Sequence, residues 1–123
     1  MARYERFEAW KKAHHLALAV YRLSESFPRH ELYGLTSQAR RAAVSVPANI
    51  AEGSAKRGRS EFGRYLDIAL GSLSELSYLV MMARDLGLLS REEWAAFDEI
   101  HTDTSKTLWG LYRVVRRRPG PDR

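Results

Sequence analysis

The 123-residue chain has no cysteine and only 4 lysines, and it has no long uninterrupted apolar run. The absence of cysteine excludes a disulfide framework and a thiolate metal site. No apolar run approaches the ~20 residues that a transmembrane helix needs. The charged N-terminus also lacks the apolar region of a signal peptide. We therefore expect a soluble, cytoplasmic protein that has no membrane partner.

Arginine dominates the basic residues, with 16 arginines beside 4 lysines and a net charge of +5. Arginine binds phosphate bidentately and stacks on bases, so this bias suits a protein that binds nucleic acid. A GC-rich coding sequence would produce the same bias, and the plentiful alanine and glycine agree with that alternative. The length is typical of one domain. We predict a single domain over residues 1–118 and a disordered tail over residues 119–123.

Apolar residues recur at spacings of three and four in four segments, which predicts four amphipathic helices. The first helix should run from about Arg6 to Ser26. Ser60 and Ser90 are predicted N-caps of the third and fourth helices, and Gly87 is the predicted C-terminal stop of the third. Short connections between such helices predict an all-α, antiparallel, up-down-up-down four-helix bundle. The third helix has the most regular apolar seam: Phe62, Leu66, Ala69, Leu73, Leu76, Val80 and Ala83.

The second helix has two different faces and an internal proline. Its apolar face includes Leu35, Val46 and Ile50. Pro47 lacks an N–H and presses on the carbonyl four residues earlier, so the helix either kinks there or stops at Val46 and restarts. The apolar register continues through Pro47, which favours a kinked continuous helix. The neighbouring face suits hydrogen bonds to another helix, and we place contacts beyond the single bundle on it: Gln38, Arg41, Ser45, Asn49 and Glu52.

The run from Tyr33 to Gly53 has an unusual sequence, YGLTSQARRAAVSVPANIAEG. With the Glu61-Phe62 pair and the segment ALGSLSE at 69–75, it resembles the signature of the bacterial four-helix-bundle family found in intervening sequences of large-subunit ribosomal RNA genes. The resemblance covers roughly residues 7–86. The signature positions in this chain are Tyr33, Gly34, Gln38, Arg40, Arg41, Ser45, Pro47, Asn49, Glu52, Gly53, Gly71, Ser72 and Glu75.

The resemblance implies an antiparallel four-helix bundle that assembles into a homopentamer. The chain is also similar to the accessory protein of diversity-generating retroelements, a basic pentameric bundle associated with nucleic acid and a reverse transcriptase. The residues themselves give two further expectations. Gly71, beside Ser72, should mark a close helix crossing. Arg41 should pair with a carboxylate such as Glu52 or Glu75, within the bundle or across an interface.

Basic residues cluster in the loop between helices two and three and at the end of helix four. In an up-down bundle these two segments lie at the same end. Their charges would form a rim that contacts phosphates with little base readout, although a solvated charged end is the simpler alternative. The predicted nucleic-acid-binding residues are Lys56, Arg57, Arg59, Arg64, Arg113, Arg116, Arg117 and Arg118.

The sequence predicts no catalytic residue, no metal site and no cofactor. A di-iron bundle needs two Glu-x-x-His pairs, whereas this chain offers only one related pair, Asp98 with His101. The stretch at 53–60 echoes a phosphate-binding loop, but it has arginine in place of the required lysine and follows a helix instead of a strand. His14 lies on an apolar stripe, which is more typical of a core or interface histidine than of a ligand.

Three functional hypotheses remain from the sequence. The first is a non-enzymatic homo-oligomeric bundle that binds RNA or DNA electrostatically, as an adaptor for an RNA or for a nucleic-acid enzyme. The second is a protein-interaction scaffold without any nucleic-acid role. The third is an enzyme whose site forms at the centre of an oligomer, where His14 or His101 would converge.

Overall fold

The computed structural model describes residues 2–117 and confirms the all-α, four-helix prediction. No strand occurs in this range. Arg118 and the predicted tail at 119–123 lie outside the described residues. Short 3-10 turns at Arg3–Arg6 and Arg29–Glu31 precede the first and second α-helices. The four helices are α1 (Glu8–Ser24), α2 (Leu35–Ser54), α3 (Arg59–Asp85) and α4 (Arg91–Arg116).

Each helix packs against two others, in the cyclic order α1, α2, α3, α4. Side-chain contacts join the end of one helix to the early part of a helix that packs against it. Arg40, early in α2, donates a hydrogen bond to Ser24 at the end of α1, over 2.8 Å. Arg116, at the end of α4, lies 3.8 Å from Asp67, early in α3. The antiparallel order stays a prediction, and these contacts support it.

The core follows the predicted apolar seams. All seven predicted seam residues of α3 are buried, at 8% exposure or less. The predicted apolar face of α2 is also buried, including Ala39, Val46 and Ile50. Pro47 is buried inside the continuous helix Leu35–Ser54, so the helix does not stop at Val46 and restart. A kink at Pro47 stays a prediction.

The α3 helix differs from the sequence expectation in one respect. Within residues 2–117 it is the one helix long and apolar enough to cross a membrane by length and composition, with a window of mean hydropathy 1.3. Of that window, 44% is buried inside the bundle. The core helix of a soluble bundle can have the same length and composition.

At the two ends of α3, the structure contradicts the predicted N-terminal cap and confirms the predicted C-terminal one. The predicted N-cap Ser60 is wrong, because α3 begins at Arg59, two residues earlier than that cap implies. The N-cap residue is Gly58, whose φ of 82° favours glycine. Gly87 does end the helix, with a φ of 76°. The N–H of Gly87 donates to the carbonyl of Arg84, and the N–H of Leu88 donates to the carbonyl of Ala83. These are the two hydrogen bonds of a Schellman motif.

The close helix approach predicted at Gly71 is wrong for the single chain. A Cβ added at Gly71 would meet no atom of the described residues within 4 Å. The close approach lies instead at Gly53, where an added Cβ would stand 2.6 Å from the Cβ of Tyr65 and 3.1 Å from a ring carbon of Phe62. Gly53 therefore allows the end of α2 to pack closely against the start of α3.

Candidate nucleic-acid interface

The loop between α2 and α3 meets the end of α4, as the sequence predicts. The guanidinium of Arg59 donates a hydrogen bond to the backbone carbonyl of Arg117 over 3.1 Å. A Cβ added at Gly63, in the first turn of α3, would lie 2.6 Å from Nε of Arg116. These contacts bring seven of the eight predicted basic residues to one end of the bundle, here called the basic end. Arg118 lies outside the described range.

The N-terminal turn adds two basic residues that the sequence analysis missed. The 3-10 turn Arg3–Arg6 packs against α1 and α2, and both of its arginines are exposed. The ring of Phe7, directly after this turn, lies 5.5 Å from the ring of Phe62 at the start of α3. Arg3 and Arg6 therefore lie at the basic end. The sequence could have predicted this position, because the first helix of an up-down bundle begins at the same end as the loop between the second and third helices.

The net positive charge of the chain is concentrated at this end. The basic end comprises residues 3–8, 52–67 and 113–117, with nine basic and five acidic side chains. The far end comprises residues 22–41 and 84–93, with six basic and five acidic side chains. The charges therefore amount to +4 at one end and +1 at the other. The formal net charge of the whole chain is +5.

Two of the predicted basic residues are paired with carboxylates. Arg64 donates hydrogen bonds to both carboxylate oxygens of Glu61, over 3.1 and 3.4 Å. These bonds and the positive charge of Arg64 lower the pKa of Glu61. Arg116 lies 3.8 Å from Asp67. Both pairs are largely solvent-exposed, so each contributes little to stability.

The other five predicted basic residues of the basic end retain uncompensated charge. All five are exposed, and none makes an ion pair within 4.0 Å inside residues 2–117. Such side chains can neutralise phosphates without losing a carboxylate partner. They are Lys56, Arg57, Arg59, Arg113 and Arg117.

The polar face of α2 is partly used inside the chain. The hydroxyls of Ser45 and Ser72 lie 2.7 Å apart and connect α2 with α3. The amide nitrogen of Asn49 donates to the carbonyl and the hydroxyl of Ser45, over 2.8 and 2.9 Å. Two side chains of this face therefore form a hydrogen-bonded cluster with Ser72. Gln38 and Arg41 remain exposed on the same face.

The predicted pairing of Arg41 is wrong within the described chain. No ion pair of residues 2–117 within 4.0 Å includes Arg41. Glu52 is eleven residues further along α2, which places it about 16 Å away along the helix axis. Glu75 lines the same open recess between α2 and α3 as Arg41, without reaching it. A pair across an interface between copies stays a prediction.

Three more signature residues, Arg40, Tyr33 and Gly34, lie at or near the start of α2. Arg40 lies with its guanidinium carbon 4.7 Å from the ring centre of Tyr21, and it donates to the carbonyl of the same residue over 3.3 Å. Tyr33 is 94% exposed and makes no contribution to the core. Gly34 precedes the first residue of α2, where the N–H of Leu35 donates to the carboxylate of Glu31 over 3.2 Å.

The two histidines of the enzyme hypothesis lie on different helices. His14 is exposed on α1, and its ring stacks on that of Trp10, with 5.0 Å between centres. It is therefore not a core residue of the single chain. His101 is half-buried on α4, and its Nε2 lies 2.8 Å from the carbonyl oxygen of Leu73. Within residues 2–117 there is no group of three or more metal-binding side chains.

Fold and surface together define a small basic helical bundle with one strongly charged end. The sequence model of the 23S rRNA-intervening sequence protein family matches residues 5–110. The chain belongs to this family. The match confirms the resemblance found in the sequence and extends it to most of α4.

A solved structure confirms the fold. The chain is similar to a protein of unknown function from the S23 ribosomal protein family of Bacteroides thetaiotaomicron. The two share 22% sequence identity with a TM-score of 0.78, over 85% of this chain and 95% of that one. No curated protein sequence matches the chain.

Proposed function

We propose that the protein is a non-enzymatic, self-associating helical bundle that binds nucleic acid in the cytoplasm through its basic end. The observation that carries the proposal is the concentration of uncompensated positive charge at one end of the bundle. The protein would then act as an adaptor between a nucleic acid and a second partner, such as a nucleic-acid enzyme.

The proposed binding is electrostatic and follows from the side chains at the basic end. Lysine and arginine that neutralise phosphates release condensed counterions, which favours binding at low salt and weakens it steeply as salt rises. Contacts of this kind position a nucleic acid and carry little sequence information. In a ring of identical copies the basic ends would lie on one face, and the phosphate contacts would be multiplied by the number of copies.

The test reverses the charge of the loop between α2 and α3 by the triple substitution Lys56→Glu, Arg57→Glu and Arg59→Glu. Because all three side chains are exposed, the fold should tolerate the change. The substitution lowers the net charge by six units, from +5 to −1. Fluorescence anisotropy with a labelled structured RNA measures the affinity, which we expect to fall about tenfold or more at low salt.

The matched control makes the same change in net charge at the far end. It combines Arg22→Glu, Arg29→Glu and Arg91→Glu, all at exposed positions. The proposal predicts that the control variant keeps most of its affinity. Equal losses in both variants would mean that overall charge, and not the basic end, governs binding. If the wild type binds no nucleic acid at all, the protein-interaction scaffold becomes the better account.

Self-association is supported by the outer surface of α2 and α3. Large apolar side chains there are exposed in the single chain, with Val44 at 42%, Ile68 at 41% and Tyr78 at 54%. A surface of this kind is typical of a contact between proteins, and we propose that a second copy covers it. The number five comes from the resemblance alone.

Sedimentation velocity at micromolar concentration tests the assembly. We expect a species several times heavier than the 14.1 kDa chain, and a lighter species for the variant Tyr78→Glu. A wild-type protein that sediments as a monomer would contradict the proposed assembly. The matched control is Leu18→Glu, because Leu18 is also exposed but lies on α1, which has no contact with α3 within residues 2–117.

A further inference from the structure

Arg64 is held in a defined position at the basic end. Its guanidinium donates two hydrogen bonds to Glu61, over 3.1 and 3.4 Å. The same guanidinium lies over the ring of Tyr65, with its central carbon 4.7 Å from the ring centre. The ammonium of Lys56 lies 5.5 Å from the same ring centre. The Arg64 side chain nevertheless keeps 54% exposure.

This arrangement makes Arg64 a poor phosphate ligand. Its charge is compensated by Glu61, and a phosphate would have to compete with the carboxylate for the same N–H groups. The flat faces of the guanidinium take no part in those hydrogen bonds. Arginine planes and aromatic rings are the surfaces on which proteins stack unpaired bases.

We propose that Arg64, supported by Tyr65 and fixed by Glu61, is a stacking site for an unpaired base. The ligand of the basic end is then a single strand, or a single-stranded loop of a structured RNA. This inference rests on the nucleic-acid binding proposed above and adds to it a ligand class. The exposed cations nearby would hold the backbone, and Arg64 would contact a base.

The far end contains a matched arrangement that serves as a control. The guanidinium of Arg84 lies 4.5 Å from the ring centre of Trp94, and its Nε donates to the carboxylate of Asp85 over 3.0 Å. The geometry therefore resembles that of Arg64, but the net charge of the far end is +1, compared with +4 at the basic end. A stacking surface whose surroundings attract phosphates less strongly should contribute little to nucleic-acid binding.

The experiment compares a DNA single strand of thymidines with an abasic strand of the same length and the same number of phosphates. The proteins are the full-length wild type, Arg64→Lys and Arg84→Lys. Lysine keeps the positive charge and can pair with the same carboxylate, but it has no plane on which a base can stack. Fluorescence anisotropy at low salt gives the two affinities for each protein.

The wild type should bind the thymidine strand about fivefold or more tightly than the abasic strand. Arg64→Lys should lose this preference while keeping its affinity for the abasic strand, and Arg84→Lys should behave as the wild type. Equal binding of both strands by the wild type would overturn the stacking site and leave the electrostatic proposal standing. A preference unchanged in Arg64→Lys would overturn the assignment to Arg64. Absence of binding to either strand would refute the proposed function itself.

Discussion

The close packing of α2 on α3 at Gly53 leads to a quantitative prediction. In the variant Gly53→Ala the new Cβ would lie 2.6 Å from the Cβ of Tyr65 and 3.1 Å from a ring carbon of Phe62. The Tyr65 atom is attached directly to the α3 backbone, so it cannot move aside by rotation of its own side chain. The two helices must therefore separate, and the layer that contains buried Phe62 and Leu66 must loosen.

The magnitude follows from two opposing effects. Overpacking of a buried position costs about 1–3 kcal/mol, and the contact at Gly53 is closer than real Cβ atoms show. Alanine recovers about 1 kcal/mol of helix propensity relative to glycine. Because this contact is so short, the cost of overpacking should lie in the upper part of the range, at about 2–3 kcal/mol. The net loss in the free energy of unfolding is then about 1–2 kcal/mol. For a chain of this length each kcal/mol corresponds to a melting temperature lower by about 3–5 °C.

Gly71→Ala is the matched control within α3. Gly71 is exposed, and an added Cβ would meet no atom of the described chain within 4 Å. The substitution should stabilise the helix by up to about 1 kcal/mol. Thermal unfolding of both variants is followed by circular dichroism at equal protein concentration. If Gly53→Ala raises the melting temperature as Gly71→Ala does, the close approach of α2 and α3 is refuted.

Three further substitutions test local interactions. Ser90→Ala removes the acceptor of the 3.0 Å bond from the Glu93 N–H and should cost about 1 kcal/mol in chemical denaturation; an unchanged midpoint would contradict the cap. Ser72→Ala removes the 2.7 Å contact with Ser45 and should cost about 1 kcal/mol, and no loss would show that the contact contributes nothing. Glu61→Gln tests pH dependence. Because the pKa of Glu61 is lowered from 4.5, its stabilising effect should exist above pH 4.5 and vanish as the pH falls through the lowered pKa; a stability difference from wild type that stays constant from pH 6 to pH 3 would refute it.

The fold could be predicted from the sequence because the apolar spacing of α3 and α4 is regular. Every predicted seam residue of α3 is buried, since a strict alternation of three and four leaves one face to pack. The Ser90 cap was predictable for a similar local reason, and the hydroxyl of Ser90 does accept from Glu93. Both features depend on residues that are close to each other in the sequence, so the sequence alone is enough to predict them.

The contacts between helices were harder to predict from the sequence. The sequence suggested close packing at Gly71 and not at Gly53, because only the rotation of each helix in the bundle decides which glycine faces a neighbour. The partner of Arg41 within the single chain was wrong for a related reason, because sequence spacing does not show which carboxylate lies within reach. The pairing of Arg64 with Glu61 follows helical spacing of three residues, so the sequence could have predicted it.

The salt dependence of binding tests the central claim most directly. The measurement is the affinity of the wild-type protein for a labelled single-stranded RNA between 50 and 200 mM salt, a range in which phosphate contacts weaken strongly. Five uncompensated cations per chain, Lys56, Arg57, Arg59, Arg113 and Arg117, predict a slope of log affinity against log salt of about −3.5 or steeper. A slope near zero, or no binding at the lowest salt, would contradict binding through the basic end.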